Sequence, residues 1–278
     1  HQACLISVSN DEEAFHVLQA AQQEFGNGAI YKYEFISGDS LQAVKDLKGS
    51  DITNLTGRVV YLQVTTTGDP GEFVEKYYGF IKGLKDPRNE LYYKLAKDGE
   101  TELSDTRLEY AKNWREVYEA RHSCTEASDY WIKTHCGATD SSQYQNFRFS
   151  PDIALPPSQL GAFSEETKAA LYERFPGKVQ VLEFGHFKRG GSHFHVVSTD
   201  ATPIDKDGVA AVIMEKLEKY KGSPSAEHGG GNTKQIIAGL NKMWAAALDI
   251  MTDLKRALDP KNIFNPRSFG MDKRLGLA

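Results

Sequence analysis

Cysteine is scarce in this sequence, with only Cys4, Cys124 and Cys136 in 278 residues. An odd and sparse set argues against a disulfide framework, and Cys124 and Cys136 are too far apart for a CxxC metal knuckle. Three reduced thiols and a reducing compartment are the expectation. Long apolar runs are also missing. Stretches such as Gly208 to Met214 are far too short to cross a bilayer. Asp11, Glu12 and Glu13 interrupt the first apolar segment, which excludes a signal peptide there. These absences point to a cytoplasmic protein or one peripheral to a membrane. An excess of positive charge is lacking too. Thirty-three Lys and Arg stand against 38 Asp and Glu, for a net charge of -5. No basic run suggests a nucleic-acid partner. No short-period repeat or low-complexity tract occurs. What remains is an ordinary globular composition, 40% hydrophobic and 26% charged. That is enough for one large core or two modest ones.

Strand and helix signals alternate along the chain. Residues 4–9 read as a buried strand. Asn10 is placed to cap a helix, with Glu13 completing a capping box. Phe15, Leu18, Gln22 and Phe25 follow at near-helical spacing, until Gly26 and Gly28 end the helix. Residues 29–36 alternate as a strand, and Ser40 to Lys48 fits a second helix. The β-branched run Arg58 to Val64 predicts a third strand. Asp69 and Pro70 then open a helix whose stripe is Phe73, Tyr77, Ile81 and Leu84. This predicts an α+β arrangement, an antiparallel sheet with helices on one face. Irregular structure is expected at Lys85 to Thr106 and at Cys124 to Tyr144, with a helical stretch near Leu108 to Ala120. Order returns with a short strand at 152–156, a helix from Ser164 to Phe175, strands Lys178 to Phe184 and His193 to Ser198, and a helix from Asp207 to Tyr220. A last helix covers about Asn241 to Leu258, ended by Asp259-Pro260.

Two segments carry residues suited to chemistry. The first runs from Phe184 to His195 and reads as a hairpin turning at Arg189 and Gly190. That register sets His186 directly opposite His193, on one face and about 5 Å apart. His195 shares the face, while Phe187 and Phe194 point to the core. One divalent metal could bridge the two imidazoles. The same spacing also fits a polar strand face that binds nothing, because a metal site needs a third and usually a fourth ligand. The second segment is Ser225 to Lys234, in which Glu227 and His228 precede three glycines. Glycines let backbone approach a ligand closely, and a helix starting near Asn232 or Thr233 could hold an anion. Glu227 could complete the metal site and His228 could serve as a base. The alternative is a flexible loop whose Glu and His are solvated.

Taken together, these residues resemble the C-terminal domain of FAD-linked oxidases. This group includes D-lactate dehydrogenases, the glycolate oxidase flavin subunit and D-2-hydroxyglutarate dehydrogenase, within the vanillyl-alcohol-oxidase-like superfamily. GHFKRGGSH (185–193) resembles its Gly-His…His motif, SAEHGGGNTK (225–234) is similar to its Ser-x-Glu-His-Gly motif, and LKRALDPKNIFNPRSF (254–269) resembles its closing Asp-Pro…Asn-Pro motif. DIALP (152–156) and NWRE (113–116) look like weaker landmarks. The resemblance implies one cap region over residues 1–278, with a ferredoxin-like cap and a C-terminal helical segment. It implies His186, His193 and Glu227 as ligands of a divalent metal, Zn or Mn, and His228 as the base that deprotonates a D-2-hydroxy acid while hydride leaves for FAD. Asn265 would lie near the flavin. Arg115 and Arg189 are candidates for pairing with the substrate carboxylate.

Two departures accompany the resemblance. Where the family usually carries Gly-Asp-Gly-Asn, this chain has Lys188-Arg189-Gly190-Gly191. Added positive charge weakens a cation site unless it faces away, and it could instead attract an anionic substrate. No glycine-rich pyrophosphate loop occurs, so an FAD-binding domain is expected outside this chain, in cis or in trans, and His1 reads as a processing boundary. Self-association is left open. A non-catalytic binding or scaffold domain that kept the fold without flavin is the alternative, followed by an unrelated metal-dependent enzyme.

Overall fold

The computed structural model describes residues 1–84, 108–110 and 114–277. Strands β1 (Gln2–Val8), β2 (Ile30–Ile36), β3 (Arg58–Val64), β4 (Leu108–Tyr110), β5 (Arg148–Phe149), β6 (Asp152–Ala154), β7 (Val179–His186) and β8 (Gly191–Ser198) form one sheet. Its order is β4-β1-β3-β2-β7-β8-β5, and β6 also pairs with β8. Every ladder between these strands is antiparallel. β1 and β2 are therefore parallel to each other, with β3 inserted between them as in a split β–α–β unit.

Helices α1 (Asp11–Phe25), α2 (Gly38–Lys48), α3 (Pro70–Leu84), α4 (Trp114–His122), α5 (Cys124–His135), α6 (Leu160–Arg174), α7 (Lys206–Lys219), α8 (Lys234–Met243) and α9 (Ala245–Leu258) cover this sheet, with short turns between them. They lie on both faces, not on one. Val17, Tyr77, Phe163, Ile213 and Leu240 from α1, α3, α6, α7 and α8 join one core. Leu41, Ala120 and Ile132 from α2, α4 and α5 join the other. The cause lies in β3. Val60, Leu62 and Val64 enter the first core and Val59 and Tyr61 the second. A strand that is apolar on both faces needs cover on both.

Helix starts follow the sequence signals. Asn10 Oδ1 accepts from the Glu13 N–H at 2.9 Å, and the Glu13 carboxylate accepts from the Ser9 N–H at 2.7 Å. The reciprocal bond thus closes one residue before the cap. Asp69 Oδ1 accepts from the Gly71 and Glu72 N–H groups, with Pro70 as the first helical residue. Thr233 precedes α8 as its cap residue.

Other expectations are corrected. Cys124–His135 is a helix where irregular structure was expected. Its buried stripe is Cys124, Ala127, Ser128 and Ile132, mostly small or polar residues, which bring the helix close to the sheet without a strong apolar period. Leu108–Tyr110 is a strand on β1 and not part of a helix. α6 begins at Leu160, four residues before Ser164. The final helix is two, α8 and α9, broken at Trp244 where φ is -130° and ψ 28°. The expectation for Lys85 to Thr106 lies outside the described residues. All three cysteines are free and buried. Among the described residues no helix is long and apolar enough to cross a membrane.

Candidate active site

The β7–β8 hairpin forms the floor of the site. Its ladder pairs Phe184 with His193 and His186 with Gly191, so the expected pairing of His186 with His193 does not hold. The chain turns through Phe187–Arg189, a short 3-10 segment closed by Gly190 at φ 69°. This longer turn moves the register by an even step, so no side chain changes face. Phe187 and Phe194 enter the first core. The histidines lie on the opposite face, with the His186 and His193 ring centres 5.6 Å apart on a diagonal. Glycine is required at 190, because a Cβ there would run into the Leu155 carbonyl at a φ that already disfavours side chains.

β6 runs along β8 with Asp152 opposite His193. The segment after α7 crosses beside it. The Ala226 N–H donates to the Asp152 carbonyl at 2.8 Å. The Glu227 and His228 N–H groups both donate to Asp152 Oδ2 at 2.6 Å. One buried carboxylate thereby fixes the loop that carries both residues. The following glycines join this loop to the C-terminal segment: the Phe269 N–H donates to the Gly231 carbonyl at 2.9 Å.

The result is a convergent group. Glu227 Oε1 lies 3.1 Å from His186 Nε2 and 3.5 Å from His193 Nε2. His228 stacks on His193 at 4.9 Å and 12°. Its ring nitrogens are 3.8 Å from Asp152 Oδ2 and 3.9 Å from Glu227 Oε1, beyond hydrogen-bond range. Asp152, His193, Glu227 and His228 each offer a ligand atom within 4.8 Å of the others. The residue types suit a divalent ion; the expected ligand His186 is not one of this group of four and adjoins it through Glu227 Oε1. Burial pushes the His193 imidazole down to about 4, helped by Arg121, so it is neutral at ordinary pH, as a ligand must be. His186 is raised by its hydrogen bond to Glu34, against burial. His195 is held well below the usual range by burial and then by Arg148. Its Nδ1 contacts Ser128 Oγ at 3.1 Å, which makes it a core histidine.

Glu34, Arg121 and Asp152 have roles that the motifs did not reveal. Glu34 on β2 is buried. Its carboxylate lies 3.4 Å from His186 Nδ1 and 2.6 Å from Arg121 Nε. A charge inside the apolar strand AIYKYEFI is itself a signal, because a buried Glu must have partners. Asp152 opens the DIALP segment. Arg121 lies in α4 with its guanidinium over the Phe184 ring at 4.8 Å.

The remaining candidates surround this group. Arg189 is exposed and lines a cleft of about 290 Å³ with Tyr31, Lys32, Glu34, Tyr118 and His186. Lys188 Nζ donates to the carbonyls of Asn27 and Ile30 at 2.7 and 3.1 Å, so its charge is directed to backbone. Arg115 is exposed on α4, one turn before Tyr118. Asn265 has φ 46° in a loop anchored by Asp259, whose carboxylate accepts from the Ile263 and Phe264 N–H groups.

The chain is thus an antiparallel sheet with helices on both faces that carries a histidine–carboxylate group at one hairpin. The chain belongs to the family of FAD linked oxidases, C-terminal domain, which it matches over residues 3–269. It is 33% identical over 125 residues to D-2-hydroxyglutarate dehydrogenase from Stutzerimonas stutzeri (strain A1501), covering 42% of this chain and 26% of that protein. The enzyme of the same name from Bos taurus, a mitochondrial one, is 30% identical over 128 residues, covering 46% and 23%. In fold the chain is similar to p-cresol methylhydroxylase, with a TM-score of 0.58 at 10% identity, over 98% of this chain and 53% of that one. It is also similar to 4-ethylphenol oxidase from Gulosibacter chungangensis, with a TM-score of 0.56 at 13% identity, over 97% and 53%. The matched stretch is thus about a quarter of the curated relatives' length and about half of the structural neighbours'.

Proposed function

We propose that this chain is the substrate-binding half of a flavin-dependent dehydrogenase for D-2-hydroxy acids of the lactate, glycolate or 2-hydroxyglutarate class. The observation that carries the reading is the meeting of His186 Nε2 and His193 Nε2 on one oxygen of Glu227, with His228 stacked beside them. The names of the relatives favour 2-hydroxyglutarate among the three acids. His186, His193 and Glu227 are the ligands in this reading. When bound, a Zn or Mn ion supplies Lewis acidity at the substrate hydroxyl and FAD supplies the hydride acceptor. His228 takes the hydroxyl proton on a ring nitrogen, its plane set by the stack on His193. Arg189, and Arg115 from α4, hold the substrate carboxylate. The Lys188 ammonium is held by the Asn27 and Ile30 carbonyls.

An FAD-binding half, in cis or in a partner chain, completes the enzyme. Supporting this, α9 exposes Ile250, Leu254 and Leu258 along one stripe, and Ile263 and Phe264 are exposed beside Asn265. Apolar surface of this kind marks an interaction face, and Asn265 is its candidate flavin contact.

Calorimetry tests the reading on this chain alone. Zinc is expected to bind the wild type and not His193→Ala or Glu227→Gln. D-2-hydroxyglutarate, D-lactate or glycolate should then bind only the zinc-loaded wild type. A wild type that takes up neither zinc nor manganese would remove the metal-assisted reading.

A further inference from the structure

We infer that the cleft beside His186 is a second carboxylate site, in which Arg189 and Lys32 hold the far carboxylate of a dicarboxylic 2-hydroxy acid. The inference rests on the proposed function and narrows its substrate class to acids with two carboxylates. The turn that carries Arg189 is held from several sides. Phe187 packs edge-on against Tyr33 and Phe35, with ring centres 5.8 and 6.1 Å away. Lys188 Nζ is bonded to the Asn27 and Ile30 carbonyls. The Gly190 carbonyl accepts from the Leu155 N–H at 2.9 Å. Arg189 stands apart from this anchoring: it is exposed, and among the described residues no carboxylate pairs with it. A guanidinium on a fixed turn offers a planar fork of donors that matches a carboxylate.

Lys32 joins it from β2. Its Nζ lies 3.7 Å from the centre of the Tyr118 ring and 3.9 Å from Glu34 Oε1. That oxygen is closer to His186 Nδ1, at 3.4 Å, and Glu34 Oε2 is 2.6 Å from Arg121 Nε. The only acid lining the cleft is therefore shared among three cationic or basic groups. Lys32, Lys188 and Arg189 line the same space, so its potential is positive and attracts an anion. Tyr31 and Tyr118 give it aromatic surface for the methylenes of an acid chain. The cleft also adjoins the histidine–carboxylate group. His186 lines it, and His186 Nε2 is 3.1 Å from Glu227 Oε1. A substrate held at Glu227 can thus extend past His186. The cleft volume of about 290 Å³ is at the lower end of the roughly 300–1,000 Å³ of small-molecule sites, which suits a short acid. Lactate and glycolate have nothing to place there. A diacid divides the two arginines: Arg189 takes the far carboxylate and Arg115 is left for the one beside the hydroxyl.

Calorimetry on the zinc-loaded chain tests this by comparing D-2-hydroxyglutarate with its 5-amide, which keeps the size and loses the far charge. Wild type should prefer the diacid by about 10-fold. Arg189→Met should cut that preference to about 2-fold or less, Arg189→Lys should keep part of it, and Lys32→Met should lower it by a smaller factor. Each protein is its own reference, so a general loss of binding cancels in the ratio. Arg189 is exposed, so its variants keep the fold. Equal affinity of wild type for the two acids, or a preference that Arg189→Met leaves intact, would overturn the inference, while zinc uptake would leave the metal site standing. A metal-free measurement separates the two readings in the other direction. In chelator-treated, 15N-arginine-labelled wild type, glutarate should move the Arg189 Nε–H signal with a Kd on the order of 10 mM, because the side chains of the cleft need no zinc. That shift in a protein that takes up no zinc would remove the metal reading and leave the second carboxylate site intact. No shift would overturn the site.

Discussion

Glu34 and Glu183 lie on adjacent strands of one sheet, β2 and β7, and both are almost wholly buried, yet they face opposite sides. Glu183 faces α6. It is 2.7 Å from Lys168 Nζ, accepts from Ser192 Oγ at 2.9 Å, and accepts from the Ser164 hydroxyl. Glu34 faces α4 and the hairpin, and meets Arg121, His186 and, at 3.9 Å, Lys32. Burial pushes both carboxyls up, but the cations prevail and both end below the usual range. Lys168 and Arg58 act on Glu183, and His186 and Arg121 act on Glu34. The difference lies in where the partners lead. The side chains in direct contact with Glu183 lie on α6 and β8 and lead no further toward the site, so that network is closed. One partner of Glu34 is a ring that also touches Glu227, so the same type of buried acid connects the core to the site.

Removing the cation separates the two most strongly. Lys168→Met leaves Glu183 charged and dry, with neutral hydroxyl donors and only the more distant charge of Arg58. The expected loss is about 3–5 kcal/mol in urea unfolding. Arg121→Met leaves Glu34 with His186 and Lys32, so a smaller loss of about 2 kcal/mol is expected. Equal losses would mean that His186 gives Glu34 no support.

The sequence signals reached the two networks unequally. The strands and most helices were legible because Arg58–Val64 and the caps at Asn10 and Asp69 are strong local patterns. The site motifs were legible because His186, His193, Glu227 and His228 are concentrated in two short segments. The hairpin register was not, because the short 3-10 turn through Phe187–Arg189 depends on Gly190 meeting Leu155, a contact from outside the hairpin. Glu34 and Asp152 were missed as partners for the same reason: they come from β2 and β6, distant in sequence, and only the sheet order brings them together. Arg121 lies just past the helical stretch expected near Leu108 to Ala120, where no local pattern marks it as a partner of Glu34.

A smaller perturbation tests whether the Glu183 network is closed. Ser192→Ala deletes one hydroxyl from a fully buried carboxylate, and about 1.5–3 kcal/mol is expected from a hydrogen bond to a charged group. Ser192 is next to His193 in sequence but points to the other face. The variant should therefore lose stability in urea while keeping the wild-type zinc affinity. Weakened zinc binding at unchanged fold would show that the two faces communicate through β8.

The finest distinction is in pH. Both glutamates have folded-state values below 4.5. Each therefore contributes stability that is full above 4.5 and is lost as pH falls through the depressed value. His186 is raised above 6.5 by Glu34. Its contribution is full below 6.5 and is lost as pH rises through the raised value. Compared with wild type in metal-free buffer, Glu183→Gln should narrow the stability gap only in acid. Glu34→Gln should narrow it at both ends, because the variant loses the His186 coupling along with the carboxylate. The histidines with depressed values, His193 and His195, are present in every protein compared and largely cancel. One proton changes the slope by at most about 1.4 kcal/mol per pH unit, so urea midpoints are needed at several pH values on each side of 4.5 and 6.5. A Glu34→Gln gap that stays flat on the alkaline side would show that His186 draws no stability from Glu34. The open network would then behave as a closed one.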